Sequence, residues 1–291
     1  MMKSNKQKYN EIMKLKDNAH VIENGELKKL QALLLEMYLD VQNVCDKHNL
    51  TCMLIGGSAL GAKRHNGFIP WDDDLDFAMP RANYEVLKEN FKEWLGDKYI
   101  LNAPNYDGNP TNRFPKVLRR GTKFVEYGSE DDERACIKID VFILENIPDN
   151  LLLRYLKGLH CTWIMFAGGV TLSYEEWMRT NNKKTMSRKA AIGKMLSYRS
   201  SEEWFDRFDR AVRCKNEKSR DVGIPSGRKH YFGEILQRVD FLPTSTGMFE
   251  GSDIYLPADT EKYLTNLYGS YMEIPPEEKR EKHYIERIEF E

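Results

Sequence analysis

Residues Asp72 to Met79, DDDLDFAM, alternate acidic and apolar side chains with the period of an extended strand. On such a strand Asp72, Asp74, Asp76 and Ala78 share one face, and Asp73, Leu75, Phe77 and Met79 share the other. The second face is the one to bury. Successive carboxylates on the first stand roughly 6.5 to 7 Å apart, near enough to share one or two hard cations through oxygen ligands. Without a cation they repel one another. Asp-Asp-Asp ordinarily marks a solvated turn, but a turn would not need Leu75, Phe77 and Met79 in phase after Pro70-Trp71.

Upstream, Cys52 to Ile55 is a short apolar run ending in Gly56-Gly57-Ser58, which reads as a buried strand closed by a tight turn. A turn without Cβ atoms lets a phosphate approach the backbone. Ser58 can offer its hydroxyl and amide, and Ala59 to Lys63 can open a helix whose N-terminus favours an anion. Taken alone, the tripeptide is also compatible with a plain strand-to-helix turn.

Two-metal phosphoryl chemistry takes carboxylates from more than one strand. Ile137 to Leu144, IKIDVFIL, supplies the second: it is rich in β-branched residues, resembles a strand buried on both faces, and carries Asp140 as its only acid. A buried carboxylate costs several kcal/mol (~) unless it is paired or bound to metal. Asp140 is therefore expected to be a metal ligand or base, the alternative being a salt bridge to Lys138.

The 291-residue chain is long enough for one large core or a core with a subdomain, and its net charge of -1 gives no global basic field of the kind that marks nucleic-acid binding. Any basic patch is local: Arg113, Lys116, Arg119, Arg120 and Lys123 could meet a pyrophosphate or simply form a solvated loop. With Lys63 and Arg64, Lys116 and Arg119 complete the expected donor-binding set around Gly56, Gly57 and Ser58. Cys45, Cys52, Cys136, Cys161 and Cys214 lack metal-binding spacing and read as reduced. The first residues lack the apolar segment of a secretory signal, and no uncharged run is long enough to span a bilayer. The expected location is cytoplasmic.

Taken together, these residues resemble the LicD family, phosphocholine transferases related to the fukutin-related proteins. The resemblance is carried by GGSALGAKRHNGFIPWDDDLDFAMPRANYEVL, by KVLRRGTKFVE followed by Ile139-Asp140-Val141-Phe142, and by Tyr263-Leu264, Leu267-Tyr268-Gly269, Tyr271-Met272 and PPEEKR with His283. It extends from about Leu27 to His283. Ser270 departs from the Asp common in the family, and Leu151 to Leu242 matches no motif. The resemblance implies an α+β fold: a nucleotidyltransferase-like core (residues 1–150) with a small mixed β-sheet flanked by helices, followed by a mainly helical subdomain (151–291) whose closing motif returns to the core. It also implies transfer of phosphocholine, or a related phosphoalcohol, from CDP-choline or another CDP-alcohol to a sugar hydroxyl of a surface glycan or teichoic acid precursor. Asp72, Asp74, Asp76 and Asp140 would hold Mg²⁺ or Mn²⁺. The rival is a nucleotidyltransferase moving NMP from an NTP to a small molecule or sugar. A glycan or lipid-linked glycan is the implied acceptor, with peripheral contact at the inner face of a membrane as a corollary and no nucleic acid as partner.

Choline recognition needs aromatic faces and a carboxylate. Trp163, Phe166, Tyr174, Trp177, Tyr198, Trp204, Phe205, Tyr231 and Phe232 all lie in the unmatched region, and at least two are expected to line a pocket facing the acidic strand. Within that region Leu151 to Leu172 is apolar, with Arg154, Lys157 and His160 at helical spacing. The plain reading is a buried helix whose basic stripe faces solvent; a lipid-contacting helix is the alternative.

Elsewhere, Leu27, Leu30, Leu34, Tyr38, Val41 and Cys45 recur at spacings of three and four, which predicts a helix over Gly25 to His48, and Tyr84, Leu87, Phe91 and Leu95 predict another over Arg81 to Leu95. Gly96 to Asn112 reads as a long loop and a candidate lid. Capping boxes predict helix starts near Ser173 and Ser200. Asp221 to Lys229 interrupts the helices, Asp253 to Leu256 is a short strand, and Asp259 caps a last helix to Leu267.

Overall fold

The computed structural model describes residues 20–22, 24–106, 113–127, 131–179, 186–280 and 284–290. His283 and the end of the Gly96 to Asn112 segment lie outside them. The fold opens with helix α1 (Asn24–Lys47), whose buried side chains are those of the three-and-four repeat. It leads through β1 (Met53–Leu54) into α2 (Gly56–His65), β2 (Asp76–Pro80) and α3 (Arg81–Trp94). Then come β3 (Tyr99–Asn102), β4 (Lys116–Arg119), β5 (Lys123–Glu126) and β6 (Lys138–Asn146).

The central sheet runs β1-β2-β6-β4-β3. Among the described residues its one parallel pair is β2 with β6, which places Asp76 beside Asp140, and β4 pairs antiparallel on the other side of β6 with Lys116 opposite Asp140. The order of this mixed sheet therefore brings two acids and a lysine, distant in sequence, into one row.

A long helix, α4 (Leu151–Arg179), follows, then α5 (Arg188–Leu196) and α6 (Ser201–Val212). These helices share a second apolar cluster around Cys161, Ile164, Met165, Trp204 and Phe208. The chain then returns through β7 (Asp221–Gly223), α7 (His230–Gly233), β8 (Ile235–Gln237) and α8 (Arg238–Phe241). β7 joins the end of β6, and β8 joins β7, so the second half adds two strands to the central sheet. A hairpin of β9 (Ser245–Phe249) and β10 (Ser252–Leu256), helix α9 (Thr260–Tyr268) and β11 (Ile285–Glu289), which pairs with β5, complete the α+β fold. Phe241, Phe249, Ile254, Tyr263 and Leu264 bury against the same core as α1 and the central strands.

Several expectations change here. The acidic strand begins at Asp76; Asp72 to Leu75 form an irregular lead-in. The loop from Gly96 contains a strand, because Tyr99 and Leu101 bury their side chains as β3 pairs with β4. Ser173 starts no helix: it sits inside α4, and its hydroxyl donates to Gly169 O. The capping box at Ser200 and the Asp259 cap are formed as expected. Asp221 to Lys229 interrupts the helices by supplying β7.

The most consequential change is in α4. Arg154 and Lys157 turn inward, Arg154 to Pro148 O and Asp221 (2.6 Å) and Lys157 to Arg213 O, while the apolar residues of the same turns face outward. Charged side chains fold back readily where each meets a carboxylate or carbonyl, so of the expected basic stripe His160 is the member left exposed.

Candidate active site

Two glycines at the start of α2 set the geometry. Gly56 has φ +56°, and a Cβ there would stand 2.7 Å from Asp76 Oδ2; a Cβ on Gly57 would stand 3.0 Å from Asp72 Oδ2. Their lack of side chains lets both carboxylates close on the first turn of α2, where the helix dipole favours negative charge. The Gly56 amide donates to the Tyr263 hydroxyl at 3.0 Å, so the last long helix, α9, fixes the same turn.

Ser58 is 3 % exposed, and its hydroxyl accepts the Asp76 amide at 2.8 Å. Its side chain thereby places β2, a structural role that stands beside the donor contact expected of it. Ser58→Ala is accordingly expected to leave a buried amide unpaired, lowering stability by about 1–3 kcal/mol and depressing kcat more than it raises donor KM. Urea unfolding and steady-state kinetics check both; a rise in KM alone would make the phosphate contact the main role.

Burial, then the charges of Asp74, Asp140 and Asp72, push the Asp76 carboxyl well above its ordinary range, with Lys116 pulling the other way. Asp72, Asp74 and Asp140 thus all bear on Asp76. Asp140 is not buried on both faces as expected: its side chain is 18 % exposed, and β6 shows a half-exposed row of Lys138, Asp140 and Phe142 beside the buried Ile139 and Val141. Its ion-pair partner is Lys116 (3.0 Å), the cross-strand neighbour, and not Lys138, which reaches Glu126. Asp140 Oδ1 has no well-formed hydrogen bond, because the ammonium lies off the favourable direction.

These oxygens suit a hard divalent cation in chemistry and in mutual influence. Among the described residues, however, no three His, Cys, Asp or Glu side chains already stand arranged to hold a metal ion. The donor set fits the ion; a finished coordination cage is not built into it.

The expected cations separate. Lys116 lies in the row with Asp140 and 5.0 Å from the Phe114 ring centre. Arg64 donates to Tyr271 O (2.8 Å) and Glu273 O; burial lowers its pKa while Asp72 opposes the shift, so it sits within the field of the acids. Lys63 points to Glu261 on α9. Arg119 lies three residues beyond Lys116, hence on the opposite face of β4, against the Tyr99 ring. Arg120 donates to Gly96 O and Lys123 pairs with Asp131.

Arg113 stands near the acids instead: burial lowers its pKa, and Asp140 and Glu234 oppose the shift. It lines a narrow cleft with Phe114, Glu145, Phe208 and Ser226.

None of the nine aromatic residues expected to face the acidic strand lines that cleft. Trp204, Phe205 and Tyr231 are core, and Trp163, Phe166, Tyr198 and Phe232 are exposed. The rings near the acids come from elsewhere. The hydroxyl pKa of Tyr268 is raised by burial and then by Asp76, and Trp71 carries the Arg280 guanidinium 3.9 Å from its ring centre. Tyr263, Tyr268 and Arg280 belong to the closing sequence blocks. Those blocks were recognisable in the sequence, but nothing in their spacing announced a return to the first turn of α2.

The LicD/FKTN/FKRP nucleotidyltransferase domain model matches residues 49–127. The chain is also similar to the lipopolysaccharide cholinephosphotransferase LicD of Haemophilus influenzae, with 22% identity over 273 residues covering 89% of this chain and 96% of that protein. The Gly-Gly turn and the acids from Asp72 to Asp76 fall inside the matched domain, and the similarity to LicD extends over most of the chain. Residues 49–127 thus carry a LicD-type nucleotidyltransferase domain, in a chain similar to LicD over most of its length.

Proposed function

We propose that this protein transfers phosphocholine, or a related phosphoalcohol, from a CDP-activated donor to a sugar hydroxyl of a surface glycan or teichoic acid precursor, releasing CMP. The observation that carries the reading is the convergence of Asp72, Asp74, Asp76 and Asp140 at the glycine-opened N-terminus of α2. The name of its Haemophilus relative supports the choline head group.

In this reading the acceptor oxygen bonds to the head-group phosphorus as the bond from that phosphorus to CMP breaks. The hydroxyl proton passes to a carboxylate of the cluster, and Asp140, on the half-exposed face of β6, is the one placed for it unless it serves as a ligand. Lys116 and Arg113 offer positive charge to the diphosphate, and Arg64 supports the Asp72 side. A bound Mg²⁺ or Mn²⁺, held by Asp72, Asp74, Asp76 and Asp140, would neutralise the diphosphate and stabilise charge at the transferred phosphorus. The residues before 150 form the catalytic core in this reading, and the later part selects the acceptor.

The test is a donor screen of CDP-choline, CDP-glycerol, CDP-ribitol and NTPs with Mg²⁺, read by CMP and pyrophosphate release. CMP release, fastest from CDP-choline, is the expected result. A clear preference for a polyol donor removes the choline assignment, and pyrophosphate release from an NTP replaces the reaction with nucleotidyl transfer.

A further inference from the structure

On α4, Leu152, Leu156, Leu159, Trp163 and Phe166 recur at spacings of four and three, which aligns them along one side of the helix. All are exposed, from 45% at Phe166 to 65% at Leu152, and Tyr155 beside them is 56% exposed. Phe232 of α7 extends the surface, its ring 6.1 Å from that of Tyr155. The opposite side of α4, with Cys161, Ile164, Met165 and Ala167, is already buried in the second apolar cluster. A row of leucines and aromatics outside a core is the kind of contiguous apolar surface that marks a contact site.

Further along the helix α5 crosses α4, and a Cβ on its Gly193 would stand 1.9 Å from Val170 O. The uncovered part is thus the first four turns, bordered by α5. That helix exposes Ile192 and Met195 together with Arg188, Lys189 and Lys194. Residues 151–174 contain no acid, and residues 177–201 contain seven lysines and arginines and no acid. The two cations of α4 nearest the stripe, Arg154 and Lys157, are engaged with Asp221 and Arg213 O, leaving the stripe itself apolar.

We propose that this face docks the protein on an anionic lipid bilayer, with the α4 stripe entering the interface and the basic residues of α5 meeting the headgroups. Charge decides between this occupant and a second copy of the chain. Lipid phosphates complement the basic border, whereas a second copy would set the same acid-free segments against each other. Tyr155 and Trp163 are the residue types that settle at a membrane interface. No helix among the described residues is long and apolar enough to cross a membrane, so α4 lies on the surface rather than spanning it. The proposal goes beyond the transfer reaction and does not depend on it.

The test uses the full chain and vesicles of phosphatidylcholine alone or mixed with phosphatidylglycerol, read by co-sedimentation. The wild type is expected to sediment with the mixed vesicles and to be released by high salt. A Leu156→Gln/Leu159→Gln/Trp163→Gln variant should bind about tenfold more weakly or worse, with an unchanged melting curve because the replaced side chains are exposed. Lys189→Gln/Lys194→Gln should reduce binding to the anionic vesicles alone. Absence of wild-type binding, or equal binding by the triple variant, overturns the proposal. So does a wild-type dimer in sedimentation velocity that the triple variant converts to monomer, since the face would then belong to a second copy.

Discussion

Asp76→Asn is expected to reduce turnover by about a hundredfold or more while leaving the protein folded and, in chelator-treated buffer at neutral pH, at least as stable as the wild type. The charge of Asp76 is strongly opposed by its surroundings: it is held by burial among Asp74, Asp140 and Asp72, with Lys116 as the one compensating charge among the main influences on it. An uncharged amide of the same shape removes that repulsion. Its backbone contacts, the amide to Ser58 Oγ and the carbonyl from the Ile55 amide, remain. The pairing of lost activity with retained stability separates a functional acid from a structural one. Turnover close to wild type with Mg²⁺ present would remove Asp76 from the mechanism, and a lower melting temperature would make it part of the framework. Asp140→Asn is a less direct probe, because it also deprives Lys116 of its partner.

Arg81→Leu should be the most destabilising single change considered, costing about 3–5 kcal/mol. Arg81 follows β2 directly and reaches Glu145 at the end of β6, Asp209 of α6 (2.9 Å) and Glu85 one turn ahead (2.8 Å). Arg213 closes the network through Glu85 and Asp209. Glu145 and Asp209 are nearly inaccessible, with side-chain exposures of 2% and 7%, so removing the shared cation strands Glu145 and leaves Asp209 to Arg213. The network also joins the central sheet to the α4–α6 cluster.

The pH dependence follows from the two acids. Burial raises the Asp209 carboxyl, but Arg81 and Arg213 outweigh it and hold the group below its ordinary value. Its contribution is therefore complete above the ordinary carboxylate range and is lost as pH falls through the lowered value. Glu145 goes the other way, since burial outweighs Arg81 and raises its pKa; it costs stability as pH rises above the ordinary value. Without Arg81 both acids shift upward. The deficit of Arg81→Leu should be largest near neutral pH and shrink in acid, where both carboxyls are protonated. Urea unfolding across that range checks it, and a deficit independent of pH would assign the loss to packing.

Much of this protein is legible in its sequence. The heptad-like repeat from Leu27 to Cys45, the capping box at Ser200 and the Asp259 cap became the elements expected, because each depends on residues within a few turns of one another. The parallel placement of Asp76 beside Asp140 was not legible in the same sense: two acidic segments could be named, but their register depends on sheet order. Short strands such as β3, β7 and β8 were hidden because a few residues carry too little alternation to stand out, and they form where a neighbouring edge completes their hydrogen bonds.

By itself the sequence determined which groups the proposed chemistry would use: the glycines, the aspartates and the C-terminal blocks, all named by residue type and local spacing. Only the tertiary structure decided what they meet. It made Ser58 the acceptor of the Asp76 amide, gave Asp140 Lys116 rather than Lys138 as its partner, and sent Arg119 to the opposite face of β4. It also turned Arg154 and Lys157 of α4 to Asp221 and Arg213 O while the leucines and Trp163 of that helix were left at the surface. The physical reason is common to all four. A charge or hydroxyl settles where a partner compensates its desolvation, and that partner is usually distant in the chain.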